Sequence, residues 1–171
     1  MAACGKWESQ PSPAGWLEAS WTGADTGKIS APAAAEWCAD RLLLEIRAIR
    51  GDTGLAVGVY SVDSIASDSY RVVEPTRADS VPPSARVALR LFSPTAVKGY
   101  QGDSGTVILE RSGSGQVSGS MVARARSVLT GVQIRLSGKF DRVAVMPQER
   151  GCTPEPPDTT EDAAQLPERV D

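Results

Sequence analysis

The residue types that most often do chemistry are sparse in this chain, and their spacing does not favour it. Among 171 residues there is no histidine. That removes the usual base of a serine or cysteine nucleophile, the commonest metal ligand and the one side chain that titrates near neutral pH. The three cysteines stand at 4, 38 and 152, far from any CxxC metal or redox spacing. Asp25, Asp52, Asp63, Asp68, Asp79 and Asp103 fall mostly in turn-like stretches, without a DxDxDG calcium loop. Aspartates there serve their own turns by default. The expectation is no catalytic residue, no metal and no cofactor.

Two short motifs need separate weighing. Gly102-Asp103-Ser104-Gly105 has the form of the stretch around a chymotrypsin-like nucleophile, but no histidine can take the serine proton. It is expected to be a turn, and the same reasoning removes Ser118 and Ser120 as nucleophiles. Arg50-Gly51-Asp52 is an RGD tripeptide. A turn between two strands is the expected reading. Arg124, Arg126, Arg135 and Arg142 lie on neighbouring segments and could form a basic stripe for lipid headgroups or an acidic partner. A solvated outer face is the plainer expectation.

The segments that must carry these residues read as antiparallel strands. Over 102–145, alternating runs are punctuated by Gly and Ser, as in a meander with one buried and one wet face. Val107 and Leu109 are expected inside. So are Val117, Met121, Ala123 and Ala125 on the next run, and Val132, Ile134 and Leu136 on the one after. Ser112-Gly113-Ser114-Gly115 supplies a hairpin loop. Phe140 opens a closing strand over 140–145.

Earlier in the chain, 16–22 is a strand with Leu17, Ala19 and Trp21 on one face. A second strand begins at 28 and is expected to stop at Pro32. Segment 33–50 fits a helix by itself, with Ala35, Cys38, Leu42, Ile46 and Ile49 on one side. In context a hairpin, 42–50 to 54–60 around Gly51-Asp52-Thr53-Gly54, is preferred. There Leu42, Leu44, Ile46 and Ala48 face inward. Short strands follow at 70–74 and 86–92. The fold expectation is all-β: an antiparallel sandwich or flattened barrel of seven to nine strands.

Three parts are expected: a start and tether over 1–15, a β-domain over 16–152, and an acidic tail over 153–171. The tail's six carboxylates against Arg169 give −5, so of a total charge of −3 the rest carries +2. Such a body has no nucleic-acid footprint. All four tryptophans (7, 16, 21 and 37) lie in the first quarter of the chain. Neither end has the apolar periodicity to bury itself, yet Trp7 sits in one and Leu166-Pro167 in the other, which makes Trp7 and Leu166 candidate partner anchors.

Met1-Ala2-Ala3-Cys4-Gly5 resembles the end of a bacterial lipobox, with Met1 where an aliphatic residue usually stands. The charged and apolar regions of a signal peptide are not in the sequence, so lipidation of Cys4 needs a start further upstream. In an exported chain Cys38 and Cys152 are then the natural disulfide pair, since they bracket the body.

The pattern WC, LLLEIRAIRGDTG, LAVGVY, SYRVV, GYQGDSGTVILER, SGSGQVSGSM, LSGKFDRVAV resembles small bacterial envelope lipoproteins. In these a lipidated Cys and a Pro-rich tether precede a β-sandwich or barrel of about eight strands. The resemblance covers about 16–146 and implies a periplasmic, lipid-anchored location with no site residues. The Ala-, Arg-, Gly- and Val-rich usage is similar to that of high-GC Gram-negative bacteria. Some phototrophs of that kind carry membrane-extrinsic subunits on reaction-centre–antenna complexes, and a small anchored β-domain with extended tails is similar to those. The functional expectation is a non-enzymatic subunit docking on an integral membrane protein complex, with the membrane held through Cys4. The alternative is a ligand-binding barrel carrying a small apolar molecule.

Overall fold

A computed structural model describes residues 15–74 and 81–147. Nine strands follow one another: β1 Trp16–Gly23, β2 Gly27–Cys38, β3 Leu43–Arg50, β4 Thr53–Tyr60, β5 Asp68–Arg71, β6 Ser84–Phe92, β7 Val97–Arg111, β8 Gln116–Ser127 and β9 Gln133–Pro147. The wall runs β1-β2-β3-β4-β6-β7-β8-β9 and closes where β9 pairs with β1. The fold is therefore a closed eight-stranded antiparallel barrel, and β5 adds a short extra strand on the second half of β7. Closure removes the open edges on which sheets aggregate.

Alternation decides which side chains go in. In β1, Leu17, Ala19 and Trp21 are buried; in β4, Leu55, Val57 and Val59; in β8, Val117, Met121, Ala123 and Ala125. Together with Phe140, Leu44, Ile46, Leu89 and Leu136 they fill the interior as one cluster. Eight strands leave room for side chains to fill a barrel or for one small ligand. Here the large aliphatic and aromatic residues occupy the space.

Four elements depart from the sequence reading. Segment 33–50 is not a helix: its last part is β3, which forms the preferred hairpin with β4, and its first part completes β2. Between them Ala39–Arg41 is a single 3-10 turn, and Leu42 adopts φ 50 there instead of facing the interior. Pro32 does not stop β2. The Ala33 N–H turns to the Gly15 carbonyl on the β1 side, so a donor at 32 would face β3. That pairing begins at Ala33↔Ala48, so Pro32 stands at the start of the β2–β3 ladder and interrupts no run of it.

The 70–74 strand lies two residues earlier, as β5, and Val72 makes only an isolated bridge to Ala85. The runs 132–136 and 140–145 are one strand, β9. Its inward phase slips at Arg142, with φ 50, so that Phe140 and Val143 both point in. The slip is a β-bulge on β9: Asp141 and Arg142 together face the single residue Ser118 of β8, between the pairs Val117↔Val143 and Gly119↔Phe140. Val132 is not inside; it sits exposed in the β8–β9 hairpin tip.

Candidate functional surface

The barrel has two unlike rims. At one rim lie the hairpins β1–β2, β3–β4, β6–β7 and β8–β9. The other rim holds the 3-10 turn, the β7–β8 loop and both ends of the described barrel. Gly15 accepts from Ala33 and abuts Val143, while Pro147 pairs with Trp37.

The sequence motifs resolve into structural roles. Gly102-Asp103-Ser104-Gly105 is not a turn. It is a bulge within β7, where the register against β8 shifts between Gly102 and Ser104. Gly105 has φ +135, and a Cβ there would strike the Val122 carbonyl. The Ser104 hydroxyl donates to Asp103 Oδ1 at 2.8 Å, and Asp103 lies 3.5 Å from Arg126. Ser118 is occupied opposite the β9 bulge: its hydroxyl donates to Asp141 at 3.0 Å and accepts from the Arg142 N–H at 2.9 Å. Those two neighbours, Ser118 first and Arg142 second, hold the Asp141 carboxyl below its ordinary value.

In the RGD turn, Arg50 Nη1 donates to the Ser30 carbonyl at 2.6 Å, and Asp52 accepts from Thr53. The tripeptide is a β3–β4 turn whose arginine lies back on β2. Asp63 and Asp68 likewise accept from Ser64 and from the Ser69 N–H.

Of the tryptophans, Trp21 is buried in the core and Trp37 packs partly against it. Trp16 is half exposed, its indole donating to Ser30 Oγ at 2.8 Å. Clustering near the N-terminus therefore reflects barrel packing for Trp21 and Trp37. Trp7, Cys4, Cys152 and Leu166 lie outside the described residues. Cys38 is buried beside Leu43 and Tyr60 in a small second cluster.

The basic stripe divides. Arg142 pairs with Asp141, and Arg126 with Asp103. Arg124 and Arg135 stand directly opposite each other on β8 and β9, and neither side chain makes a hydrogen bond or ion pair among the described residues. They border an open recess of about 410 Å³ with Thr22, Gly23, Gln133 and Ile134. Just beyond is the hairpin tip, where Val128, Leu129 and Val132 are exposed, Leu129 at 82%. Ile49, Phe92 and Val97 are exposed at the same rim. Sequence alternation could not single out this tip, because a short apolar run beside a strand reads as more strand.

Among the described residues, a polar bridge crosses the mouth at this rim. Tyr100 on β7 donates to Asp25 in the β1–β2 turn, and Lys98 Nζ lies 3.2 Å from the same carboxylate. The Tyr100 bond, then Lys98, holds the Asp25 carboxyl below its ordinary value against the opposing effect of burial. Burial, then the Asp25 bond and charge, pushes the Tyr100 phenol up to about 12.

Comparison with protein-family models, curated proteins and solved structures finds no match.

Proposed function

We propose that this chain is a non-enzymatic, lipid-anchored extracytoplasmic subunit that docks on and stabilises an integral membrane protein complex. The observation that carries the reading is that both described ends of the barrel leave from one rim, Gly15 against Val143 and Pro147 against Trp37. The N-terminal segment with Cys4 and Trp7 and the acidic C-terminal segment thus start from the same rim. A lipid on Cys4 would hold the N-terminal segment at the bilayer, where Trp7 and Leu166 can meet a membrane partner. Carboxylates of 153–171 would steer the contact more than bind it. The resemblance to extrinsic subunits of photosynthetic reaction-centre–antenna complexes supplies one partner of this kind.

A filled interior favours this reading over an apolar-ligand carrier, which needs empty space where Phe140, Leu17 and Met121 pack. A Cys38–Cys152 disulfide fits the same extracytoplasmic setting. Residue 152 follows Pro147 by five positions, about 17 Å at full extension, and Pro147 lies beside Trp37, next to Cys38.

The test is retention on detergent-washed native membranes across a salt series, comparing the full chain with a 153–171 deletion and with Trp7→Ala. The deletion is expected to lose its advantage mainly at low salt, since exposed charges are screened over about 8 Å at physiological ionic strength. The Trp7→Ala loss is expected to persist at high salt. Full retention by both variants would refute the role given to the two ends.

A further inference from the structure

We infer that the β8–β9 hairpin is a second membrane contact, built to dock on an anionic phospholipid surface at the end of the barrel opposite the two chain ends. Two independent observations meet there. The first is electrostatic. Arg124 and Arg135 are direct cross-strand neighbours on the outer face, and no acid answers either of them among the described residues. Like charges directly opposite on a sheet are destabilising, so the pair costs the fold something that a bound anion would return. The nearby carboxylates are already engaged, Asp103 with Arg126 and Asp25 with Tyr100 and Lys98.

The second observation is apolar. The hairpin tip presents Val128, Leu129 and Val132 to solvent, and Val97 on the adjoining hairpin extends the patch. Val128 lies over Gly99, joining the two tips. The β8–β9 tip itself is aliphatic, with Phe92 standing beside Val97 on the adjoining hairpin. Protein interfaces are usually anchored by aromatic and arginine residues seated in pockets, with Leu and Val under-represented. A projecting aliphatic tip with the Arg124–Arg135 pair three residue pairs behind Val132 instead matches the layering of a bilayer. The tip reaches the acyl boundary while the guanidinium groups stay level with the phosphates.

The geometry is compatible with an anchor on Cys4. Residues 5–15 can span about 36–40 Å when extended. The eight residues of β1 cover about 26 Å. Anchor and tip can therefore touch one bilayer with the barrel lying between them.

The experiment uses the full chain carrying Cys4→Ser, so that no lipid anchor contributes and a negative result leaves the anchored-subunit reading standing. Co-sedimentation is measured with vesicles of phosphatidylcholine alone and of phosphatidylcholine mixed with phosphatidylglycerol. Binding to the mixed vesicles is expected, at least tenfold weaker on neutral ones and weakening with salt. Leu129→Ser should lower binding about tenfold, the weight of one buried aliphatic side chain. Arg135→Glu should lower it about thirtyfold, given the contribution of each basic residue at an anionic surface. The same variant should melt no lower than the parent, because it places a carboxylate opposite Arg124. That separates lost binding from lost folding. Ile108→Ser, on the outer wall away from the tip, should change nothing. Equal binding to both vesicle types, no binding, or indifference to Leu129→Ser and Arg135→Glu would overturn the proposal. So would saturation of the arginine pair by inorganic phosphate without vesicle binding, which would assign it to a free anion.

Discussion

Tyr100 on β7 donates its phenolic hydrogen to the Asp25 carboxylate in the β1–β2 turn, 75 residues away in sequence. Between β7 and β1 the barrel wall passes through β8 and β9. The bond therefore ties together two wall segments that share no ladder. Lys98, two residues before Tyr100, adds a positive charge on the same carboxylate.

Tyr100→Phe removes that bond and leaves the carboxylate with Lys98 alone. The expected cost is about 1–2 kcal/mol, below the full value of a hydrogen bond to a charged group because Asp25 is partly solvated. The pH dependence has two arms. Asp25 is depressed in the folded state, so its contribution is present above its unfolded value near 3.9 and is lost as pH falls through the folded value. Tyr100 is raised to about 12, so its contribution is present below about 10 and is lost as pH rises towards 12. Urea denaturation of parent and variant should show a difference that is flat from about pH 5 to 9 and shrinks at both extremes. Absorbance at alkaline pH should show Tyr100 titrating late, a component that Tyr100→Phe removes.

Gly27→Ala is expected to destabilise by about 1–3 kcal/mol. A Cβ there would lie 2.5 Å from Trp21 Cζ2, and Trp21 is 4% exposed within the core. The indole cannot yield without moving the β1–β2 hairpin. A lowered denaturation midpoint with altered tryptophan emission would confirm the contact; an unchanged midpoint would refute it.

Phe140→Ala should cost about 3–5 kcal/mol, as for large aromatic deletions in cores. Phe140 is among the largest fully buried side chains and packs where Gly119 leaves room for it. On the outer wall, Ile108→Ser should stay within about 0.5 kcal/mol. Thermal melts of the two variants side by side test whether the barrel interior is packed by these side chains, and equal shifts would count against it.

The Cys38–Cys152 pairing predicts a cross-linked peptide in a non-reducing digest of protein prepared under oxidising conditions. Reduction should then lower stability by about 3–5 kcal/mol, the scale for closing a loop of this size. Free thiols at both positions after oxidative preparation would exclude the bond.

The strands and their buried faces were legible in the sequence wherever alternation was clean. Leu17, Ala19 and Trp21, or Val117, Met121, Ala123 and Ala125, take one face because successive Cβ atoms in a strand point opposite ways. That rule is local, and it gave the all-β class, the β3–β4 hairpin and the Ser112–Gly115 loop. It failed where the backbone leaves the regular period. Leu42 and Arg142 at positive φ, the bulges at Gly102/Ser104 and Val117/Gly119, and the exposed Val132 all break the count of two. Closure of the wall, the meeting of Asp25 with Tyr100 and the direct opposition of Arg124 and Arg135 are different in kind. They depend on register between strands, which is set by hairpin lengths, bulges and the fit of the whole interior. No run of neighbouring residues contains that information, so only the tertiary structure could bring the two arginines and the apolar tip onto one surface.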